Sequence, residues 1–448
     1  RRELRVEQIL DIQTIIWIVS GWFVLFLLLG QAVATCLFGA GLLGVWLIGG
    51  TRTLHGLVAS DIFYTTSAYS LSIIPLYLLM AQLLMKGQVI TDLFRVGHRL
   101  AGYRRFPLGA ATIVTGGLLG AVSGSGSASA AALAALAGPE LERVGYTRRF
   151  GVSLAAVAGS LSAIIPPSLI IIIYGSITMV PVGHLFIGAL VPALLVILVY
   201  IACLALFGEL RPDAADTRPQ ADISNDLSRA EWRRAFLAFW FVIALMVIVF
   251  GGIYGGVITV GEAGAIGAFT ALLGMVAMRR VTLADIGQSV VDSVKVTAMI
   301  MMLVVSAQIF ARFLSLARIP RSLIEVAEPL ISQPMLLVAV MLLIIFIAGM
   351  ILESAALMVL FIPIITPILT AAGVDMLWFG VLASLMITLG LITPPVGLST
   401  YAAATAANMP VSSIFRTTWI FAVAAGVVVA AITMTFPGTI TWLPSLIN

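Results

Sequence analysis

The 448-residue chain reads as an all-α polytopic membrane protein, and three observations say so. Hydrophobic residues make up 61% of it. Charged residues make up 10%, against about 25% in an average soluble domain, too few to coat a fold of this size in water. The apolar residues come in runs of roughly 18 to 24, long enough to cross a ~30 Å hydrocarbon core as helix. A membrane β-barrel would instead alternate apolar and polar residues. An ordinary soluble enzyme is thereby excluded.

Apolar spans run at 12–30, 32–50, 62–85, 150–180, 184–207, 235–253, 257–278, 293–314, 377–409 and 417–437. The first lacks a small-residue cleavage site behind it and is not a cleavable signal. Cys36 and Cys203 lie inside apolar runs and offer no disulfide framework. Two further stretches, 107–138 and 334–370, are too long for one crossing and are interrupted by small residues or prolines. Lys86, Arg95, Arg99, Arg104 and Arg105 precede the first of these, and Arg143, Arg148 and Arg149 follow it. Cytoplasmic loops collect such cations, so the stretch between must enter and return on one side, as a re-entrant hairpin. Arg279 and Arg280 place the 279–292 loop inside by the same rule. The polar segment 208–234 reads as a cytoplasmic linker with an amphipathic helix near Trp232. Arg1, Arg2 and Arg5 fall outside by this count, against the rule. The chain does not begin with Met, and an upstream segment is expected. The formal net charge of +4 reports orientation here and implies no nucleic-acid partner.

Two proline pairs reveal a repeat. Ile165-Pro166-Pro167-Ser168 and Thr393-Pro394-Pro395-Val396-Gly397 lie 228 residues apart, each midway through a long apolar segment and each behind an odd stretch. At the same offset the first hairpin tip, Ser123-Gly124-Ser125, aligns with Ile351-Leu352-Glu353. Five crossings separate the hairpins, so the copies are expected to be inverted, the signature of secondary transporters. The expected organisation is scaffold helices over 1–85 and a first core over 86–207 (hairpin 107–138, broken helix 150–180, helix 184–207). The linker 208–234 and scaffold helices over 235–314 come next. A second core over 315–409 (hairpin 334–370, broken helix 377–409) and a final helix over 410–448 complete it.

The breaks supply the chemistry. A proline pair removes two N–H donors and clashes with the preceding turn, so the helix unwinds. Unwound backbone at membrane depth must be buried or line a cavity. Its carbonyls can ligate a cation, while half-helix N-termini favour an anion. Ser123, Ser125, Ser354 and Thr393 add hydroxyl oxygens, hard ligands suited to Na⁺. Gly124 and Gly397 let the chain turn. Glu353 is the only acid within 334–370 and is a functional candidate or a helix cap. Ser127, Ser168 and Thr400 are candidate contacts for the anion, with Ser160 and Ser399 nearby. Close helix packing is the competing reading of the Gly/Ser run. Glu262 after Thr259 reads as a capping box, and Lys295 and Arg312 as snorkelling cations, with contact between Arg312 and an anionic substrate as the alternative. His55, His98 and His184 are scattered. No phosphate-binding loop and no nucleophile elbow occurs, so no enzyme and no organic cofactor is expected.

The motifs GAVSGSGSASAAALAALAGPELERVGYTRRF, AIIPPSLIIIIYG, GMILESAALMVLFIPIITPIL and LGLITPPVGL, in that order, resemble the large membrane subunit of tripartite ATP-independent periplasmic (TRAP) transporters. The resemblance runs from about residue 15 to 440. VITVGEAGAIGAFTALLG is similar to that family's helix after the central linker. It implies a sodium-driven importer of an organic carboxylate or sulfonate in the bacterial cytoplasmic membrane, working by an elevator mechanism. It implies two partners, a periplasmic substrate-binding protein and a small four-helix membrane subunit. It also implies sodium held at Ser123, Gly124, Ser125, Pro166, Glu353, Thr393, Pro394 and Gly397. An alternative is a stand-alone ion-coupled anion transporter or antiporter of the wider superfamily, which would need no binding protein.

Overall fold

The computed structural model describes residues 11–102, 104–209 and 228–446. They begin with α1 (Ile12–Leu28), α2 (Val33–Thr66), α3 (Ile73–Lys86) and α4 (Val89–Ala101). A first hairpin follows, made of α5 (Arg105–Leu118), the single turn α6 (Gly120–Ser123) and α7 (Gly126–Arg143). Behind it come α8 (Arg148–Ser160), α9 (Leu169–Thr178), α10 (Val182–Gly188) and α11 (Leu190–Phe207). The second half contains α12 (Arg229–Tyr254), α13 (Val260–Ala277), α14 (Leu283–Leu316) and α15 (Ile319–Ile331). It continues with a hairpin of α16 (Pro334–Gly349) and α17 (Ser354–Ala371), then α18 (Met376–Gly390) and α19 (Leu398–Ala406). α20 (Val411–Thr435) and α21 (Gly438–Thr441) end it. No strand occurs among the described residues. Among the described residues, seven helical segments are long and apolar enough to cross a membrane. Helix is what lipid demands of such runs, because only it satisfies every backbone group within the segment.

The order of elements recurs. α4 then hairpin then α8, break and α9 matches α15 then hairpin then α18, break and α19, at offsets within three residues of 228. The Pro166–Pro167 and Pro394–Pro395 bonds are both cis.

Several expectations need correction. The 86–106 segment is not a loop. Arg95 and Arg99 lie on α4 away from the face that buries Ile90, Leu93, Phe94 and Val96, so amphipathic spacing rather than charge density decides its structure. α15 likewise fills 319–331, where no element was expected. The 32–50 span extends to Thr66 as a 34-residue helix, passing through the non-helical Gly50. The span from 62 to 85 is interrupted between Thr66 and Ile73. Trp232 belongs to no separate amphipathic helix, because α12 starts at a Ser228–Glu231 capping box and runs through it. Most of the expected linker, and Arg1, Arg2 and Arg5, lie outside the described residues. The Thr259–Glu262 capping box is present.

Packing sorts the helices into two groups. α2 lies along α14, α3 against α13 and α14, and α4 against α12. Arg280 ties this group together at one end. It donates to Gly87 O and Arg234 O, each at 3.0 Å, and pairs with Asp92. That fixes the 62° bend between α3 and α4. The second group crosses over between the two halves. α9 packs on α17, the hairpin arm of the other half, and α19 packs on α7 and α8. Small residues allow the approach: a methyl group on Gly116 or Gly159 would collide with the backbone of Ala158 or Ala130.

Candidate functional site

The crossed half-helices bring both hairpin tips and both breaks into one neighbourhood. At the first tip α6 ends at Gly124, whose φ of +59° is the left-handed conformation glycine accepts freely. Ser125 then caps α7 in extended conformation. The tip is knotted by its own hydroxyls. Ser123 Oγ lies 2.5 Å from Ser129 Oγ and donates to Ser125 O at 3.2 Å. Ser125 O also accepts from Ser162 Oγ of the first break at 2.9 Å.

At the second tip Glu353 is the N-cap of α17. Its Oε2 accepts from the N–H groups of Ala355 and Ala356 at 2.9 and 3.2 Å, and its Oε1 accepts from Ser354 Oγ at 2.6 Å. The second break leans on this tip, since Val396 N and Gly397 N both donate to Met350 O. Gly397 has a φ of +51°, and an added Cβ would crowd Thr393 O and Phe415.

A cavity of about 370 Å³ lies between these parts. Ser123 through Ala128 line it from the first tip, and Glu353, Ser354 and Ala355 from the second. Ala163, Leu391 and Leu398 reach it from the breaks. α3 contributes Gln82 and its neighbours, and α14 contributes Val296, Met299 and Ile300. The expected residues therefore divide. Ser123, Gly124, Ser125, Ser127, Glu353 and Ser354 share the cavity. Pro166, Thr393, Pro394 and Gly397 stand behind it in the breaks. Thr393 is 5% exposed and donates to Leu389 O at 2.8 Å. Ser168 is buried and donates to Ala163 O at 2.5 Å. Thr400 and Ser399 are fully buried, and neither hydroxyl has a hydrogen-bond partner. Ser399 Oγ points toward Gly126 at the first tip.

Sequence reasoning missed Gln82, a lone amide in an apolar run, and Ser162, which ties the first break to the first tip. It also misread Arg312. That side chain does not merely snorkel: Nε and Nη2 donate to the buried carboxylate of Asp61 on α2, at 2.9 and 3.2 Å. Asp61 sits beyond the point where the second span was expected to end, which hid the pair.

The donor set is hydroxyl and carbonyl oxygen with one carboxylate. Among the described residues no three His, Cys, Asp or Glu side chains gather. Such oxygens suit a hard monovalent or alkaline-earth cation and not a soft metal.

Comparisons with known proteins identify the family to which the chain belongs. The family model of the tripartite ATP-independent periplasmic transporter, DctM component, matches residues 20–437. The C4-dicarboxylate TRAP transporter large permease protein DctM of Pseudomonas aeruginosa is 31% identical over 361 residues, 80% of this chain and 82% of that protein. The isethionate TRAP transporter permease protein DctMQ of Oleidesulfovibrio alaskensis is 28% identical over 89% of this chain and 62% of its own length. The ectoine TRAP transporter large permease protein TeaC of Halomonas elongata is 27% identical over 92% and 94%. In fold, the chain resembles the YdaH transporter of Alcanivorax borkumensis, with a TM-score of 0.65 and 14% identity, over 93% of this chain and 98% of that one. A multi-pass helical chain matched from residue 20 to residue 437 by one family model belongs to that family, the DctM component of tripartite ATP-independent periplasmic transporters.

Proposed function

We propose that this permease imports a small organic anion, a carboxylate or sulfonate, by coupling it to sodium ions moving down their gradient across the bacterial cytoplasmic membrane. The observation that carries this reading is the convergence of both hairpin tips on one cavity. In the proposal Na⁺ is a co-transported substrate. Ser123, Gly124 and Ser125 at the first tip, with Pro166 behind them, offer it hydroxyl and carbonyl oxygens. Glu353, Ser354, Thr393, Pro394 and Gly397 do the same at the second. The anion lies between, against Ser127 and near the N-terminal turns of α9 and α19, with Ser168 and Thr400 shaping those turns. Helix N-termini and sodium then supply the positive potential.

The two repeats are inverted in this reading. The crossed core moves as an elevator against α1–α4 and α12–α14. A periplasmic binding protein delivers the anion, and a small four-helix membrane subunit completes the scaffold. The dicarboxylate and isethionate named for the relatives support this substrate class.

The test is uptake into proteoliposomes carrying the full assembly, with radiolabelled succinate and isethionate. Uptake should require an inward sodium gradient. Ser125→Ala and Thr393→Ala should each raise the sodium concentration for half-maximal uptake several-fold while the protein still folds. If both variants keep the wild-type sodium dependence, the assignment of the tips and breaks fails. If uptake proceeds without a binding protein, the stand-alone alternative replaces the tripartite reading.

A further inference from the structure

A second, polar cavity is lined by the same two helices, α14 and α9, that border the tip cavity. α14 carries Val296, Ile300, Val304, Gln308 and Arg312 at every fourth position, a row that winds about 160° around the helix from first to last. Val296 and Ile300 line the tip cavity, whereas Val304, Gln308 and Arg312 line a separate cavity of about 310 Å³. α9 borders both, with Leu169 and Ile170 at its start in the first, and Ser176 and the following Met179 in the second. Ten residues of helix set those ends ~15 Å apart.

Asp61 and Arg312 define the chemistry of the second cavity. Asp61 is 8% exposed, while the Arg312 side chain is 56% exposed. The carboxylate engages only Nε and Nη2. A guanidinium has five N–H donors in a planar fork, so three remain available. That unused edge matches the two oxygens of a carboxylate or sulfonate. Asp61 holds the guanidinium plane in place and offsets its charge, so the cation stays in position without a ligand. Gln308 brings amide donors to the same cavity, and Thr65 and Ser176 bring hydroxyls.

We propose that this cavity is a second anion-receiving site, where Arg312 and Gln308 hold the carboxylate or sulfonate group before it reaches the tips. Arg312 lies near the end of α14 opposite the cation-bearing Arg279–Arg280 loop, hence toward the outer side in the orientation expected from charge placement. The inference rests on the transport reading for its direction, but the anion site itself is testable without transport.

The test uses the purified chain in phosphatidylcholine nanodiscs. Gln308→Cys is placed in a Cys36→Ala/Cys203→Ala background, with Ser332→Cys, in an exposed turn, as reference. Modification by the anionic sulfonatoethyl and the cationic trimethylammonioethyl methanethiosulfonates is followed by mass spectrometry. Relative to the reference, the anionic reagent should be favoured by up to roughly fivefold, the size of one full charge interaction across ~4 Å of water-like medium, which the paired Asp61 reduces. Succinate or isethionate should slow it. Both effects should vanish in Asp61→Asn/Arg312→Gln, which leaves no buried carboxylate unpaired. Thr65→Cys, facing the same cavity, replaces the reporter if Gln308→Cys does not fold. Equal relative rates, or a preference that survives the double substitution, overturns the site. Protection by phosphatidylglycerol and not by the soluble anions also overturns it, in favour of a lipid headgroup. A positive result without sodium-driven uptake by the assembly would instead count against the transport reading alone.

Discussion

Glu353 shows how one side chain can satisfy two readings at once. Its carboxylate caps α17, which is a structural task, and it lines the cavity beside Ser354, which is what an ion ligand must do. The two separate by substitution. Asp is a good N-cap, so Glu353→Asp should keep the thermal midpoint while moving the carboxylate by a methylene and weakening sodium coupling. Glu353→Ala should lower stability by about 1 kcal/mol, the usual value of a lost cap. Thermal denaturation of the two variants measures this, and an unchanged midpoint in Glu353→Ala would remove the capping role. The tip residues were legible because the Gly/Ser run and Glu353 recur at the same offset from the two proline pairs. Ser168 and Thr393 were named by the same logic, yet in the structure their hydroxyls are given to carbonyls within the breaks. Sequence cannot tell a hydroxyl that faces a cavity from one that bonds back to the preceding turn.

At the scale of the element, glycine does more than turn the chain. Gly116 on α5 and Gly159 on α8 sit where backbones nearly touch, so the first hairpin is held against the broken helix by contact that only a missing Cβ permits. Gly159→Val should therefore push α8 off α7 and cost on the order of 1–3 kcal/mol through overpacking. Denaturant titration of purified protein checks it. A variant as stable as wild type would mean that the crossing can relax. The Gly/Ser run thus serves packing through Ser129 and Ala130, and the cavity through Ser123, Ser125 and Ser127. Proline pairs and charge placement made the hairpins and breaks readable. α4 and α15 escaped because their charges, summed over a segment, resemble a loop. Only their spacing around a helix shows that one face is apolar.

At the scale of the whole molecule, the repeat makes a claim about sidedness. Arg104 and Ser332 stand at equivalent points, just before the two hairpins, and are separated by the repeat offset of 228 residues. Both are exposed. If the halves were related by simple duplication with an even number of crossings between them, both positions would face the same compartment. The cations around Arg104, at Lys86, Arg95, Arg99 and Arg105, place it in the cytoplasm. The segment around Ser332 has Arg318 and Arg321 but also Glu325 and Glu328, and gives no such bias. The inverted arrangement proposed above, with an odd number of crossings between the hairpins, would put Ser332 outside. A membrane-impermeant maleimide applied to intact cells should therefore label Ser332→Cys and spare Arg104→Cys, both in a Cys36→Ala/Cys203→Ala background. Permeabilised cells should label both, which establishes that each cysteine is accessible. Labelling of both in intact cells would place the hairpins on one side. The two half-helices would then present their N-termini from the same direction, and a sealed cavity reached alternately from each face would lose its structural basis.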